Sequence, residues 1–325
     1  MSRGKSGYLL KGLLGVIVAV LIFKAFRHYS TEILHHVARI DLARLGCGLL
    51  LCVLYRVLNS SGWVLVLRAI QQPIPLIRGM RLWLLSESMR WLPGSVWGFC
   101  SRVVQAAKSG IPAGVASASL PLELLLTVVA WSFVALFGIL GSGASIKWAG
   151  LISIHHLIIG VAGAAILGGL VAFVLFKLPE SRIARKVRSL RSELCALRAI
   201  RLNWGRLCGV LCLYIGLCCL NGIAFLVVLS AVSPEPANLL AIIAANAFGW
   251  LVGFLAIGAP GGIGVREASS ALLLSTMMPL PTAIAASTLW RMVMIVDEAL
   301  CLGACLAPSV VRLVYRVQAP MDQAG

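Results

Sequence analysis

The chain has 325 residues, 60% hydrophobic and 12% charged, with 28 Lys and Arg against 11 Asp and Glu for a formal net charge of +17. One soluble core of this size cannot hide so much apolar sequence, which excludes a soluble enzyme and points to repeated passage through a bilayer. The basic excess lies between apolar runs, so it reads as topology signals and contacts with anionic lipid rather than as a nucleic-acid surface.

A helix needs about 20 apolar residues to cross a hydrocarbon core about 30 Å thick. The first such run, Leu9 to Phe26, follows Arg3, Lys5 and Lys11 as a signal peptide would, but it lacks a small-residue cleavage site and is expected to be a retained span. Arg44 to Leu67 is the second. Arg56 sits in its middle beside Asn59 and Ser60, far from either surface, which predicts a polar cavity rather than snorkelling. Residues Arg81 to Lys108 are broken by Pro93-Gly94 in RWLPGSVWGFCSR. Proline removes a backbone donor and glycine admits positive φ, so this stretch reads as a helical hairpin that enters the membrane and returns. Such a turn survives at membrane depth only when it is buried in protein or lines a wet cavity. Pro112 to Leu140 and Leu151 to Lys177 follow as spans three and four. Lys177 to Arg206 is the richest basic loop and is placed in the cytoplasm. Leu207 to Val232 is the fifth span, Asn238 to Met278 a second hairpin broken by Pro260-Gly261 in APGGIGVREAS, and Pro281 to Ala307 the sixth span.

The expected fold is therefore an all-α polytopic membrane protein with about six full transmembrane helices and two re-entrant Pro-Gly hairpins. With both hairpins re-entrant, the termini, the 177–206 loop and most other basic residues fall on the cytoplasmic side of an inner or plasma membrane. The order span, span, hairpin, span then occurs twice. The first repeat is 9–140, with its hairpin at 81–108. An outer loop and the fourth span follow over 141–176, the basic loop over 177–206, the rest of the second repeat over 207–307 with its hairpin at 238–278, and a cytoplasmic tail over 308–325. Three spans per half make the second half inverted, a transporter signature.

The ten cysteines lie mostly inside apolar runs and read as small packing residues. His35-His36 and His155-His156 flank spans without carboxylates on a shared face, so neither a metal site nor another cofactor is expected. Trp83, Trp91 and Trp97 read as an interfacial belt.

Charges inside a membrane cost several kcal/mol unless paired or wet, and so mark function. Around the first turn stand Glu87, Arg90, Arg102 and Glu123; around the second, Arg266, Glu267, Arg291, Asp297 and Glu298. Arginine forks and half-helix N termini suit a phosphate, so the predicted headgroup residues are Arg56, Arg90, Pro93, Gly94, Arg102, Glu123, Pro260, Gly261, Gly262, Gly264, Arg266, Glu267 and Arg291. Glu87, Asp297 and Glu298 are read as proton relays or salt-bridge partners. The competing reading makes Arg266/Glu267, Arg102/Glu123 and Arg291/Asp297 internal salt bridges holding the hairpins. The glycines at 261, 262 and 264 resemble a nucleotide phosphate loop, but no strand or Lys-Ser/Thr accompanies them.

Arg90-Trp91-Leu92-Pro93-Gly94 with Trp97, Arg102, Gly110, Ser117 and Glu123, together with the run Pro260 to Glu267 and Arg291, resembles the lysylphosphatidylglycerol synthase transmembrane-region, or flippase-like, family over nearly the whole chain. Members resemble lipid translocases, and bifunctional ones move aminoacylated phosphatidylglycerol after a separate soluble domain makes it. The resemblance implies the transport half without that domain, and stand-alone relatives are associated with polysaccharide, glycolipid or hopanoid pathways. The expected function is thus a flippase-like transporter for an anionic or phosphate-bearing lipid, working beside envelope-biosynthesis enzymes. The alternatives are a membrane-embedded lipid-modifying transferase, using Glu123 or Glu267 as base, and a non-catalytic scaffold subunit.

Overall fold

A computed structural model describes residues 40–88, 97–142, 203–233, 238–256 and 260–307. Among them, all regular structure is helical: α1 (Leu42–Ala69), α2 (Leu76–Glu87), α3 (Trp97–Ala107), α4 (Ala113–Gly141), α5 (Trp204–Ser230), α6 (Leu239–Leu255), a 3₁₀ turn (Pro260–Gly262), α7 (Val265–Leu274) and α8 (Leu280–Leu306). The expected spans at 44–67, 112–140, 207–232 and 281–307 correspond to α1, α4, α5 and α8. Those at Leu9–Phe26 and Leu151–Lys177, residues 177–202 of the basic loop and the 308–325 tail lie outside the described residues, while the end of that loop, 203–206, forms the cap and first turn of α5.

Local chemistry sets the starts. Asp41 accepts from the Ala43 and Arg44 amides, Asn203 from the Arg206 amide, and Asn238 from the Leu240 and Ala241 amides, each using a short polar side chain to satisfy free N–H groups at a helix start. Prolines precede α4 and α8, where a missing N–H costs nothing.

Four helices are long, at 28, 29, 27 and 27 residues, and of these α1, α4 and α5 are long and apolar enough to cross a membrane. Leucines and phenylalanines such as Leu50, Leu125, Phe133 and Phe137 stand exposed on them, as lipid-facing surface requires. The helices on either side of each Pro-Gly turn are shorter, at 12 and 11 residues for α2 and α3 and at 17 and 10 for α6 and α7. At 1.5 Å per residue, helices of 10–12 residues are only about 15–18 Å long, roughly half a hydrocarbon core.

The order long, short, short, long occurs twice, and the packing follows it. Contacts α1–α2, α2–α3 and α3–α4 are matched by α5–α6, α6–α7 and α7–α8, while α4–α5 is matched by α8–α1, and α4–α6 by α8–α2. The seam between the two sets is α1 against α5, and these run antiparallel. The Asp41 amide donates to Ala231 O at 3.3 Å and the Asn203 amide to Ala69 O at 3.2 Å. Arg44 Nη1 donates to Ser230 O at 2.8 Å and Arg206 Nη1 to Arg68 O at 2.9 Å. One end of the pair thus reproduces the other with the partners exchanged. Close approach along the seam depends on absent side chains: a Cβ on Gly48 would lie 2.5 Å from Val228 Cγ2, and one on Gly62 2.5 Å from Tyr214 Oη.

Candidate functional site

Between the two sets of helices lies a cavity of about 290 Å³. Tyr55, Arg56 and Asn59 reach it from α1, Trp83 and Glu87 from α2, and Arg102 from α3; Glu123 and Thr127 come from α4, Trp250 and Gly253 from α6, Gly261 and Gly262 from the 3₁₀ turn, and Arg266 from α7. Leu120, Leu124, Phe254 and Met294 supply apolar wall. Six of the charged or turn residues expected around the two Pro-Gly turns, Glu87, Arg102, Glu123, Gly261, Gly262 and Arg266, are therefore neighbours of one space, together with Arg56.

Arg102 is 2% exposed and uses all three guanidinium nitrogens. Nε donates to Ser86 Oγ at 2.8 Å, Nη1 to Glu123 Oε2 at 2.5 Å, and Nη2 to Glu87 Oε1 at 2.8 Å. Its Cζ lies 5.6 Å from the Trp63 ring centroid and 5.3 Å from that of Trp83, within cation–π range. The second oxygen of Glu123 accepts from Trp83 Nε1 at 2.7 Å. The expected Arg102/Glu123 pair is present, and Glu87 completes it. Trp83 is buried and holds a carboxylate, so the expected interfacial-belt role is corrected. The reason is that α2 packs against α1, α3 and α8, which turns this face of it inward.

Arg56 is likewise buried rather than snorkelling, and it joins the two sets of helices. Its Nε donates to Asp297 Oδ2 at 2.5 Å, and Nη2 lies 3.9 Å from Glu298 Oε2. Asp297, fully buried, also accepts from the Cys52 and Cys301 thiols at 3.3 and 3.6 Å. Those two cysteines, expected to act only as packing, thus also donate hydrogen bonds.

Arg291 pairs with Glu267 at 3.3 Å and donates through Nη2 to Gly261 O at 3.0 Å, strapping the second turn. The Arg291/Asp297 pair of the competing reading is not formed, because Asp297 pairs with Arg56. Glu267 Oε2 accepts from the Gly264 amide at 2.6 Å, the carboxylate half of a capping box, which places this carboxylate on the N terminus of α7. The site expected for a phosphate at that helix start is therefore already occupied by the chain's own carboxylate.

Arg266 lies across the cavity from Arg102, with its Cζ 5.7 Å from the Trp250 ring centroid. It passes through a slot made of glycine. A Cβ on Gly253 would meet Arg266 Cγ at 2.1 Å, and one on Gly262, whose φ is +71°, would meet its Nε at 2.9 Å. Gly253→Ala should therefore push Arg266 out of its slot and cost about 1–3 kcal/mol, the usual range for overpacking, read as a fall in the melting midpoint of the purified protein.

Among the remaining predicted residues, Pro260 opens the 3₁₀ turn, Gly264 (φ +81°) precedes α7, and Glu267 and Arg291 face a smaller neighbouring space. Arg90, Pro93 and Gly94 lie outside the described residues. Sequence reasoning missed Trp63, Trp250, Tyr55, Asn221 and Asn246. The two asparagines carried a usable signal, since an amide inside an apolar helix calls for a partner. Among the described residues no group of His, Cys, Asp and Glu is arranged to hold a metal ion.

The profile of the family described as the lysylphosphatidylglycerol synthase TM region matches residues 9–296. The chain belongs to this family. It is accordingly an integral membrane protein of a family tied to lipid or envelope biogenesis, in agreement with its long apolar helices. The match takes in both Pro-Gly turns and every cavity residue named above, while Asp297 and Glu298, the partners of Arg56, stand just past its end. No curated protein matches the chain.

Proposed function

We propose that the protein moves a phosphate-bearing lipid between leaflets, holding its headgroup in the 290 Å³ cavity while the acyl chains stay in the bilayer. The observation that carries this reading is the meeting of guanidinium groups from both sets of helices, Arg56 and Arg102 from one and Arg266 from the other, at a single space with apolar walls. Guanidinium forks match phosphate oxygens, and Leu120, Leu124 and Phe254 give the first methylenes of a lipid an apolar border.

In this reading α2–α3 and α6–α7 are re-entrant hairpins of an inverted repeat, entering from opposite faces. Their short lengths, the matched helix contacts and the antiparallel α1–α5 seam support it. The setting is a bacterial inner or plasma membrane with cytoplasmic termini, and the lipid supplier or consumer is an envelope-biosynthesis enzyme. Exchange of a phospholipid between leaflets alters its side of the membrane and leaves its mass unchanged, which separates this activity from a transferase.

The test uses proteoliposomes carrying a headgroup-labelled anionic phospholipid. Arg266→Ala should slow leaflet exchange roughly tenfold or more, since a charge-assisted hydrogen bond is worth about 1.5–3 kcal/mol. Exchange at the wild-type rate by a folded Arg266→Ala protein overturns the proposal.

A further inference from the structure

We infer that the smaller space among α5, α6, α7 and α8 is a binding site for a monatomic anion, a halide such as chloride. Its volume is about 20 Å³, and it is bordered by Asn221, Asn246, Glu267, Ser287 and Arg291, with Arg266 on the side facing the large cavity. A site needs roughly 10–15 Å³ to hold one water-sized particle, so there is room for one atom and none for a phosphate.

The polarity of the lining follows from a chain of hydrogen bonds with only one consistent direction. Indole N–H groups donate and never accept. Trp290 Nε1 donates to Asn246 at 3.1 Å, which fixes the accepting atom there as Oδ1. The Asn246 amide nitrogen then donates to Asn221 Oδ1 at 2.8 Å. Asn221 borders the space, and its amide nitrogen, with two N–H donors, has no hydrogen-bond partner among the described residues. Ser287 Oγ has none either. These residues are 1% and 2% exposed, so bulk water does not serve them. The ligand that satisfies them is an acceptor. Charge points the same way, for the border carries two guanidinium groups and one carboxylate, whose Oε2 accepts from the Gly264 amide and whose Oε1 makes an ion pair with Arg291 but no hydrogen bond among the described residues.

The first set of helices shows what makes this place different. Asn59 stands on α1 where Asn221 stands on α5, counted from the matched caps Asp41 and Asn203, and Asn59 borders the large cavity. There the facing residue on the last long helix is a carboxylate, Glu123, paired with an arginine on the preceding short helix. In the second set the bridge is reversed: the arginine, Arg291, is on the long helix and the carboxylate, Glu267, on the short one. The exchange places the guanidinium, rather than the carboxylate, on the long helix of the second set. A bound halide would neutralise this group and tie α5 to α7, which carries Arg266, and to α8, which carries Ser287 and Arg291.

The site stands independently of lipid transport, and its test does not measure transport. Purified full-length protein is melted in chloride, bromide or acetate at constant ionic strength, and bromide-soaked crystals are examined for anomalous scattering. The expected result is a saturable rise in Tm with chloride and bromide but not acetate, and one bromide peak within hydrogen-bond distance of Asn221 and Ser287. Ser287→Ala, which keeps the fold by removing only an unpartnered hydroxyl, should weaken the halide response. Asn221→Asp, which replaces the donors with a like charge, should abolish it. A Tm indifferent to halide, a response unchanged in both variants, or a density peak with no anomalous signal, as from water, overturns the inference.

Discussion

Arg102→Ala should lower stability by about 3–5 kcal/mol, the range for breaking a buried ion pair from one side, and should stop leaflet exchange. The guanidinium gives Glu123 Oε2, Glu87 Oε1 and Ser86 Oγ a donor each, and it lies within cation–π range of both the Trp63 and Trp83 rings. Its removal leaves two carboxylates facing a cavity with their shared counter-ion gone, while the rings lose the cation between them. Arg102→Lys keeps the charge but is a point donor on a flexible stem that cannot reach all three acceptors in one plane, so it should recover part of the stability. Glu123→Gln is the informative companion. Both of its neighbours, Trp83 Nε1 and Arg102 Nη1, are donors that cannot accept, and an amide offers one oxygen where two are needed. It should therefore cost about 1.5–3 kcal/mol, one charge-assisted hydrogen bond, despite its near-identical shape. Thermal or denaturant unfolding of the three variants gives the order Arg102→Ala, then Glu123→Gln and Arg102→Lys. A wild-type midpoint for Arg102→Ala would mean that the carboxylates find another partner.

The charged residues of this cavity were legible in the sequence, because a Glu, Arg or Asp among apolar spans is rare and expensive enough to stand out. Arg102 and Arg266 could be named without coordinates, since each lies within ten residues of a Pro-Gly break, and Glu123 because it is the one carboxylate of the following apolar span. The remaining pairings were not legible, because they cross the chain. Arg56 and Asp297 are on the first and last described helices, and nothing local announces their contact. One mistaken pair was avoidable: Arg291 and Asp297 lie six residues apart on α8, which at about 100° per residue puts them on different sides of the helix. Trp83 was misread for a different reason. Tryptophan suits both an interfacial belt and a buried hydrogen-bonded position, and only the packing of α2 decides between them. The glycine slot around Arg266 was hidden as well. Gly249 and Gly253 are four apart on α6, a small-residue stripe that implies close approach but not what approaches, and in the structure it is the side chains of Ser270 and Arg266.

Asp297→Ala should cost a further several kcal/mol at a different place, the contact of α1 with α8. Asp297 is fully buried and takes three donors: Arg56 Nε, Cys52 Sγ and Cys301 Sγ. With alanine there, the guanidinium of Arg56 keeps Glu298 only at 3.9 Å and Met294 O at 3.4 Å, both long for hydrogen bonds. A loss of about 3–5 kcal/mol follows from stranding a buried charge. Asp297→Asn retains an acceptor but not the charge and should fall between the two. The double variant Arg56→Met, Asp297→Leu removes both charges and fills the space with apolar volume, an exchange that is often neutral or stabilising in protein interiors. It should return the melting midpoint close to wild type. That recovery would show that the pair is retained for something other than stability. Arg56 also borders the large cavity, so the same double variant should exchange lipid poorly although it is well folded. If instead the double variant is as unstable as Asp297→Ala alone, the loss belongs to the geometry of α1 against α8. The ion pair would then be a structural clamp rather than part of the site.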